Sequence, residues 1–343
     1  MNRRKAGFYL GLIGCAVLWM GICSIPANSS GYDYNYGQGP MDVRTNSPGQ
    51  SLRLTLPNIV PGTIRPGWGL NVAATTSNVW LTEERDYILD FEIFDGYIAA
   101  HYGINRRLGF GFFFDQRIYY GGILDGFIEG FHDLAGIDQD GRDQWPRYET
   151  WIIRRDTGSD TEDVNEKLTN NGLGAALSYV LTHGTESWVP ALCVNGLVRY
   201  GLQTPDSPDE PLDFGASLGA AKRLSERWYA YGQLGYMHFG LTRIDDAMIE
   251  LKDKALSGML AVAWHLTPDF PVMIQYQFQE GAIKNLVKLN DPSHEFTIGL
   301  KWKMKHGGVL AFGLVENLLA PDSSADFGVH LGYSYRFTSG KDK

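Results

Sequence analysis

The chain has 343 residues, a formal net charge of −9, 41 glycines and 13% aromatic residues, and only 44% of its residues are apolar. The acidic balance argues against nucleic acid as a partner, and one all-β barrel of this length is ordinary, so the length does not require two domains. Abundant glycine and aromatic residues at this apolar content are typical of a barrel with a polar inner face.

The N-terminus has the three regions of a secretory signal peptide. Basic residues at positions 3–5 precede a nearly unbroken apolar run over residues 6–23, and small and polar residues follow. We therefore predict export and removal of residues 1–27. A retained anchor is the alternative, because the apolar run is long enough to cross a bilayer. After cleavage only Cys193 would remain, so no intrachain disulfide could form.

The next segment, residues 28–66, has no sustained period. It is rich in glycine, proline, asparagine and serine, with one short alternating piece at residues 52–56. We predict a periplasmic or lumenal N-terminal segment here rather than a membrane-spanning strand.

From residue 67 onward, apolar residues alternate with small or polar ones, which is the pattern of strands with one face in lipid. Short turns alternate with longer polar connections, as periplasmic turns and extracellular loops do in bacterial barrels. A change of apolar parity in the second strand predicts a β-bulge at Asp95-Gly96. Assigning residues 148–155 to a long outer loop leaves about twelve strands. We predict an all-β fold, a transmembrane antiparallel up-and-down β-barrel over residues 67–337, with a polar tail at 338–343.

The last strand has the clearest alternation. Its small, polar or charged residues alternate with the apolar row Phe327, Val329, Leu331, Tyr333, Tyr335 and Phe337. This strand resembles the C-terminal assembly strand of bacterial outer-membrane barrels, in which an aromatic residue ends the chain. The resemblance implies the bacterial outer membrane as the location, with outer-membrane lipid and the barrel-assembly machinery as partners. A soluble sandwich that faces its core is the alternative.

The row opposite the apolar one is predicted to line the lumen. Its charged and amide groups are costly to bury dry, so they are either wetted by an open pore or paired within a sealed interior. Both charge signs are present in similar number, so no ion selectivity follows. The predicted lumen-lining residues are Glu92, Asp115, Arg117, Asn195, Arg199, Asp213, Arg223, Gln275, Gln277, Glu295, Lys301, Lys303, His330 and Arg336.

The middle of the chain changes period. Between Ile123 and Leu134, apolar residues recur every three or four positions, which predicts one amphipathic helix in a long outer loop. Two placements stay open: on the barrel rim or outer leaflet, or folded into the mouth as a constriction. The candidate gating residues are Ile123, Leu124, Asp125, Phe127, Ile128, Glu129, Phe131 and His132.

A family resemblance comes from the same region. The glycine-rich stretch 121–132, followed by Gly141-Arg142-Asp143 and Pro146-Arg147, resembles the signature of an uncharacterised proteobacterial family, domain of unknown function 3187. Asp95-Gly96 and the late residues 315–317 are also similar to that family. The resemblance covers nearly all of the mature chain and implies an outer-membrane-type barrel without an assigned activity.

The sequence favours a passive channel for small polar solutes, with no enzyme activity, cofactor or metal, and it leaves the solute unknown. Residues 138–143 resemble a calcium loop, but Arg142 stands where an oxygen ligand is needed. One alternative is a closed barrel that serves as a structural or surface-interaction protein. A second is an outer-membrane lipid hydrolase, although the rim residues Ser293 and His294 should point to opposite faces as strand neighbours.

Overall fold

The computed structural model describes residues 36–83, 87–135, 146–154, 168–184, 189–204, 211–244, 248–317 and 323–337. The predicted signal peptide, the calcium-like stretch 138–143 and the polar tail lie outside the described residues. No helix in these ranges is long and apolar enough to cross a membrane.

The alternating segments form long antiparallel strands, because in a strand every second side chain can face the surroundings while the others face inward. Thirteen strands share one sheet, and β1 pairs with both β2 and β15, which closes the cylinder. The strands of this sheet are β1 (Gly67–Glu83), β2 (Tyr87–Gly103), β3 (Leu108–Tyr120), β4 (Trp151–Arg154), β5 (Leu168–Thr182), β6 (Ala191–Gln203), β7 (Leu212–Arg223), β8 (Trp228–His238), β11 (Lys254–Thr267), β12 (Phe270–Gln279), β13 (Ser293–Lys303), β14 (Val309–Glu316) and β15 (Phe327–Arg336). The short β4 pairs only with the start of β2, so twelve strands form the barrel wall, as the sequence predicts.

Several described elements lie outside the wall. A 3-10 turn spans Pro61–Thr63, helix α1 spans Asp125–Ala135, and two-residue strands β9 (Arg243–Ile244) and β10 (Ile249–Glu250) form a small hairpin in the connection between β8 and β11.

The outward row of the wall is apolar and exposed, as a lipid-facing surface requires. On β13, Ile298 is 60% exposed and Trp302 is 54% exposed, whereas Thr297, the neighbour of Ile298 in the inward row, is fully buried. The same contrast recurs along the other wall strands, apart from the end of β1 and the start of β2. The period-two prediction of an apolar outer face therefore describes this surface correctly.

The predicted bulge at Asp95-Gly96 is wrong. The register of β2 against both β1 and β3 runs through these residues without a shift. Odd-numbered residues of β2 therefore face the interior along the whole strand, and Phe91 and Ile93 belong to a buried cluster with Leu52. The apolar row seemed to change sides because the interior itself is apolar at that end of the barrel.

Candidate functional site: the occupied lumen

The connections between strands differ in length at the two ends of the barrel. The short connections, such as those between β7 and β8 and between β11 and β12, lie at the turn end. The long connections, such as those between β8 and β11 and between β12 and β13, lie at the loop end. In bacterial outer-membrane barrels the short turns are periplasmic.

The lumen is filled by residues 36–66, which we call the plug. At the turn end, the Tyr36 hydroxyl lies 3.2 Å from His183 Nδ1. The plug then rises to the loop end, where Ser47 Oγ donates to the Ser323 carbonyl at 2.7 Å. It returns to the turn end and continues into β1, and Asn58 joins its two legs by donating from Nδ2 to the Met41 carbonyl at 2.8 Å.

Amide side chains of the wall bind the backbone of the rising leg of the plug. Gln275 Oε1 accepts from Met41 N at 2.9 Å, and Gln277 Nε2 donates to the Val43 carbonyl at 3.0 Å. A buried backbone group without a partner costs about 1–3 kcal/mol. The predicted lumen residues on β12 thus supply the hydrogen bonds that allow an irregular segment to be buried away from water.

Carboxyl groups of the wall also accept hydrogen bonds from the plug backbone. Glu295 Oε1 accepts from Asn46 N at 2.9 Å, and Asp213 Oδ2 accepts from Leu54 N at 2.8 Å. Each bond gives a buried backbone N–H of the plug an acceptor that it would otherwise lack.

Inward glycines of the wall make room for the plug. A Cβ added at Gly215 would lie 2.6 Å from Leu56 Cδ2, and one added at Gly219 would lie 2.3 Å from the Ile59 carbonyl oxygen. Both distances are shorter than ordinary contacts. At Gly219 the opposing atom is plug backbone, so a side chain there would displace the plug, whereas at Gly215 only the end of the Leu56 side chain would have to move.

A buried network of charged side chains crosses the middle of the lumen. Arg44 of the plug is ion-paired with Asp95 and lies 3.3 Å from Asp115. Arg117 Nε lies 3.3 Å from Asp95, and Arg199 Nη2 lies 2.9 Å from Asp115. All these side chains are at most 3% exposed. Removing one partner of a buried pair leaves an uncompensated charge, so this network ties the plug to β2, β3 and β6.

The loop end is closed by apolar packing. The β8–β11 and β12–β13 connections fold inward, where Leu241, Leu251 and Ile283 pack against Leu52 of the plug and Phe91 of the wall. This dry layer is called the loop-end cluster.

Arg53 of the plug binds the inward-folded loops. Its guanidinium donates to the carbonyls of Leu241 and Lys252 and lies 3.8 Å from the centre of the Phe239 ring. Burial lowers the pKa of Arg53 to about 9, an effect opposed by the nearby Asp213 and Asp253 carboxylates. Arg53 therefore remains charged at neutral pH, and its charge is balanced by carbonyl dipoles and more distant carboxylates.

The turn end, in contrast, holds a cavity of about 800 Å³, which we call the vestibule. A smaller cavity of about 90 Å³ lies between the plug and β1–β3, and Arg44 is among its lining residues. Both cavities are lined by Asp42, Asn58, Thr63, Asn71 and His101. The two cavities therefore adjoin, and together they lead from the turn end along one side of the plug to the charged network.

Residues 16–337 match the family described as "Protein of unknown function (DUF3187)". The chain belongs to this family. The resemblance seen in the sequence is thus confirmed over nearly the whole chain.

Solved structures share the barrel fold. The COG4313 outer membrane channel from Pseudomonas putida F1 superposes with a TM-score of 0.53 at 12% identity, covering 81% of this chain and 100% of that chain. The KdgM porin in complex with disordered oligogalacturonate has a TM-score of 0.44 at 7% identity, covering 79% and 99%. The toluene transporter TodX of Pseudomonas putida has a TM-score of 0.41 at 10% identity, covering 85% and 96%. No curated protein matches the sequence. The DUF3187 barrel thus has the fold of an outer-membrane channel.

The structure places all the predicted lumen-lining residues except Glu92 on the inward row of the wall. Asp115, Arg117, Arg199 and Asp213 join the charged network, and the amide residues of β12 and Glu295 bind the plug. Asn195 Nδ2 donates to the Ile59 carbonyl, and His330 Nδ1 is bonded to the Thr75 hydroxyl. The remaining members line the vestibule: Arg223, Lys301, Lys303 and Arg336. Most of these groups are therefore occupied by the plug or by each other.

Glu92 lies on the outer face of the barrel, which corrects its predicted place in the lumen. Its register partners are Asn78 on β1 and Tyr120 on β3, and the Tyr120 hydroxyl donates to it at 3.2 Å. Its Oε1 also accepts from the backbone nitrogens of Ile123, at 2.6 Å, and Leu124. A carboxylate at a helix N-terminus is favourable, so Glu92 caps α1 and the helix shields it from lipid.

Helix α1 lies outside the barrel, so its placement as a constriction in the mouth is wrong. The Phe127 ring packs 5.5 Å from that of Phe327, which is the register partner of Asn78 on the outer face. Asn78 Nδ2 donates to Asp125 Oδ1 at 3.0 Å, and Glu129 is ion-paired with Arg147. Of the other candidate gating residues, Ile123 is exposed and Ile128 is buried, and the side chains of Phe131 and His132 lie outside the described part of the helix.

The candidate hydrolase residues do not form a pair. Ser293 Oγ donates to the Gln279 carbonyl, whereas His294 Nδ1 is bonded to the Tyr276 hydroxyl at 2.7 Å. They occupy opposite faces of β13, as strand neighbours must. Among the described side chains, no group of three or more His, Cys, Asp or Glu is arranged to hold a metal ion.

Proposed function

We propose that this barrel is an outer-membrane channel for small polar solutes that rests closed, with residues 36–66 as its gate. One observation carries the proposal. Apart from an isolated bridge between Pro66 and Gly103, no described plug residue pairs with a strand. The plug can therefore leave the lumen without breaking the hydrogen-bond ladder that closes the barrel.

The neutral contacts also favour a movable plug. Side-chain hydrogen bonds to the plug are worth about 0.5–1.5 kcal/mol each in net terms, because water can replace them, while the buried ion pairs of Arg44 hold the closed state. A displaced plug would leave Gln275, Glu295 and Arg199 facing a wet lumen. Such a lining suits polar solutes. The COG4313 protein is a channel built on the same fold, which supports the proposal.

The proposal is tested by deleting residues 37–62 and recording single-channel conductance in planar bilayers. The full chain should be closed most of the time, and the deletion variant should conduct persistently. The matched control deletes residues 123–134, the helical region outside the barrel, and should behave as the full chain does. Folding is checked by the heat-dependent gel mobility of barrels. A folded plug deletion variant with the conductance of the full chain would contradict the proposal.

A closed barrel with a structural or surface role is the second candidate, and the loop-end cluster favours it. There, Leu241 and Ile283 of the inward-folded loops are 3% and 2% exposed, as in a permanent core. On this alternative, removing the plug would leave the barrel closed. The channel and porin folds of the neighbours support a non-enzymatic role for either candidate.

A further inference from the structure

The vestibule carries an excess of positive charge. Among the described residues that line it, six are basic: Arg65, Arg223, Arg227, Lys301, Lys303 and Arg336. Three are acidic: Asp42, Glu226 and Asp269. The whole chain has a net charge of −9, so this concentration of cations runs against its overall balance.

The cations come from several sides of the cavity. Arg65 belongs to the plug, Arg223 and Arg227 lie at the β7–β8 connection, and Lys303 and Arg336 stand at the ends of β13 and β15. A cleft lined by one sign of charge between walls of low dielectric concentrates the field and attracts counter-ions. An ion in this cavity would be met by cations from more than one direction.

Two polar atoms that line the vestibule have no partner. Arg336 Nη2 donates to the Thr63 carbonyl at 3.3 Å, but Arg336 Nη1 is a buried donor without a hydrogen-bond partner. His265 is 7% exposed and its other ring nitrogen is bonded to the Pro268 carbonyl, so its unpartnered Nε2 is an acceptor in the neutral ring. Buried polar atoms are rarely left unpaired, so Arg336 Nη1 marks a place where an anion or water would be bound, and His265 Nε2 a place for water.

Lys301 has a different role in the same cavity. Its ammonium donates to the carbonyls of Gln38, at 3.1 Å, of Gly39, at 3.2 Å, and of Pro40. All three of its donors are thus used by the plug. Lys301 contributes charge to the vestibule and holds the rising leg of the plug. Lys303 lies 4.0 Å from Asp269 in an exposed pair, which is weak enough for a multivalent anion to compete with, and Arg336 keeps one donor for direct contact.

We infer that the vestibule binds small multivalent anions, such as di- and tricarboxylates or phosphate, before they pass the plug. The inference rests on the proposed function, because it names the substrate class of that channel. A cavity of about 800 Å³ accommodates such a solute together with water. A single charge could engage only some of the surrounding cations, so a solute with two or three charges fits best.

The test is isothermal titration of citrate into the purified full chain in non-ionic detergent. Phosphate and sucrose serve as the second anion and the neutral probe. The vestibule variant is Lys303→Gln with Arg336→Gln. The matched control is Lys254→Gln with Lys284→Gln, which removes two exposed lysines at the loop end and changes the net charge equally.

The full chain and the loop-end control should bind citrate with equal affinity, and the vestibule variant should bind about tenfold more weakly, as expected when two partly exposed charge contacts are lost. Raising the salt to about 0.15 M should weaken binding through screening, and sucrose should not bind. Phosphate binding without citrate binding would narrow the class to phosphates. Failure to bind either anion, or equal citrate affinity in both variants, would overturn the inference.

Binding in detergent does not require conduction, so the two proposals fail separately. A barrel that binds citrate but never opens would overturn the channel proposal and leave the anion site standing. A barrel that opens but binds neither citrate nor phosphate would overturn the anion site and leave the channel proposal standing.

Discussion

The loop end and the turn end of the lumen are occupied in opposite ways. At the loop end, Leu52 of the plug and Phe91 of the wall are packed in a dry apolar layer under inward-folded loops. At the turn end, a basic vestibule of about 800 Å³ separates the plug from the exterior. Hydrophobic closure does not depend on the screening of charges, whereas charged surfaces attract or repel solutes. On the proposed function, polar solutes would reach the plug from the turn end, and the loop end is the tighter seal.

The largest expected effect is a gradient of water access along the inward row of β13. Single cysteines replace Lys303, Thr297 or Glu295 in a Cys193→Ala background and are treated with a water-soluble maleimide. Lys303→Cys should react rapidly, because that side chain is exposed in the vestibule. The two deeper sites should react about a hundredfold more slowly, which corresponds to an opening free energy of about 3 kcal/mol. Equal rates at all three sites would mean that the lumen is wet throughout.

The second prediction concerns the apolar packing that closes the loop end. Leu52→Ala should lower the free energy of unfolding in urea by about 3 kcal/mol, because it leaves a cavity in a packed cluster. Leu266→Ala is the control at the turn end, where the side chain is 41% exposed, and should cost less than half as much. Equal losses would show that the loop-end cluster is no better packed than the vestibule rim.

The third prediction concerns the support beneath the loops. Arg53→Met keeps an apolar stem against Phe239 but removes the donors to the Leu241 and Lys252 carbonyls. We expect a loss of about 2 kcal/mol and faster proteolysis of the β8–β11 connection. Arg65→Met, which removes an exposed cation at the turn end, should leave both measurements unchanged. If the β8–β11 connection stays protected from proteolysis in Arg53→Met, the folding of this loop does not depend on Arg53 of the plug.

The smallest effect is expected outside the barrel. Glu92→Gln keeps the shape of the cap and removes its charge, so the start of α1 should fray at a cost of about 1 kcal/mol. Hydrogen exchange at the amides of Ile123 and Leu124 should quicken, while single-channel conductance should not change. A change in conductance would mean that α1 takes part in gating after all.

Strand count and closure follow from the sequence because a lipid-facing wall imposes period two on every strand. Which row faces outward follows only where one row is polar. At the start of β2, Leu89 and Phe91 face inward to the loop-end cluster. Asp90, whose register partner is Trp151 on the neighbouring β4, faces outward, as does Glu92 beneath α1. Hydrophobicity alone therefore places the outward row of this half strand in the lumen, and this is why the sequence predicts Glu92 there.

The plug left a weaker signal in the sequence. Residues 36–66 have no period, so nothing in their order shows what they pack against. On the wall, Gln275 and Glu295 would be satisfied equally by water or by a buried backbone. The inward glycines were a usable sign, since Gly215 and Gly219 leave space that only another segment fills.

The most direct test of the displaceable plug is a reversible lock between it and the wall. Leu56→Cys with Gly215→Cys, in a Cys193→Ala background, joins two positions that are in contact in the closed barrel. Single-channel conductance is recorded in the oxidised protein and again after a reductant is added to the same bilayer, with each single cysteine as a control. The account predicts that the oxidised barrel stays closed and that openings appear on reduction. Openings of equal frequency and size before and after reduction would contradict it.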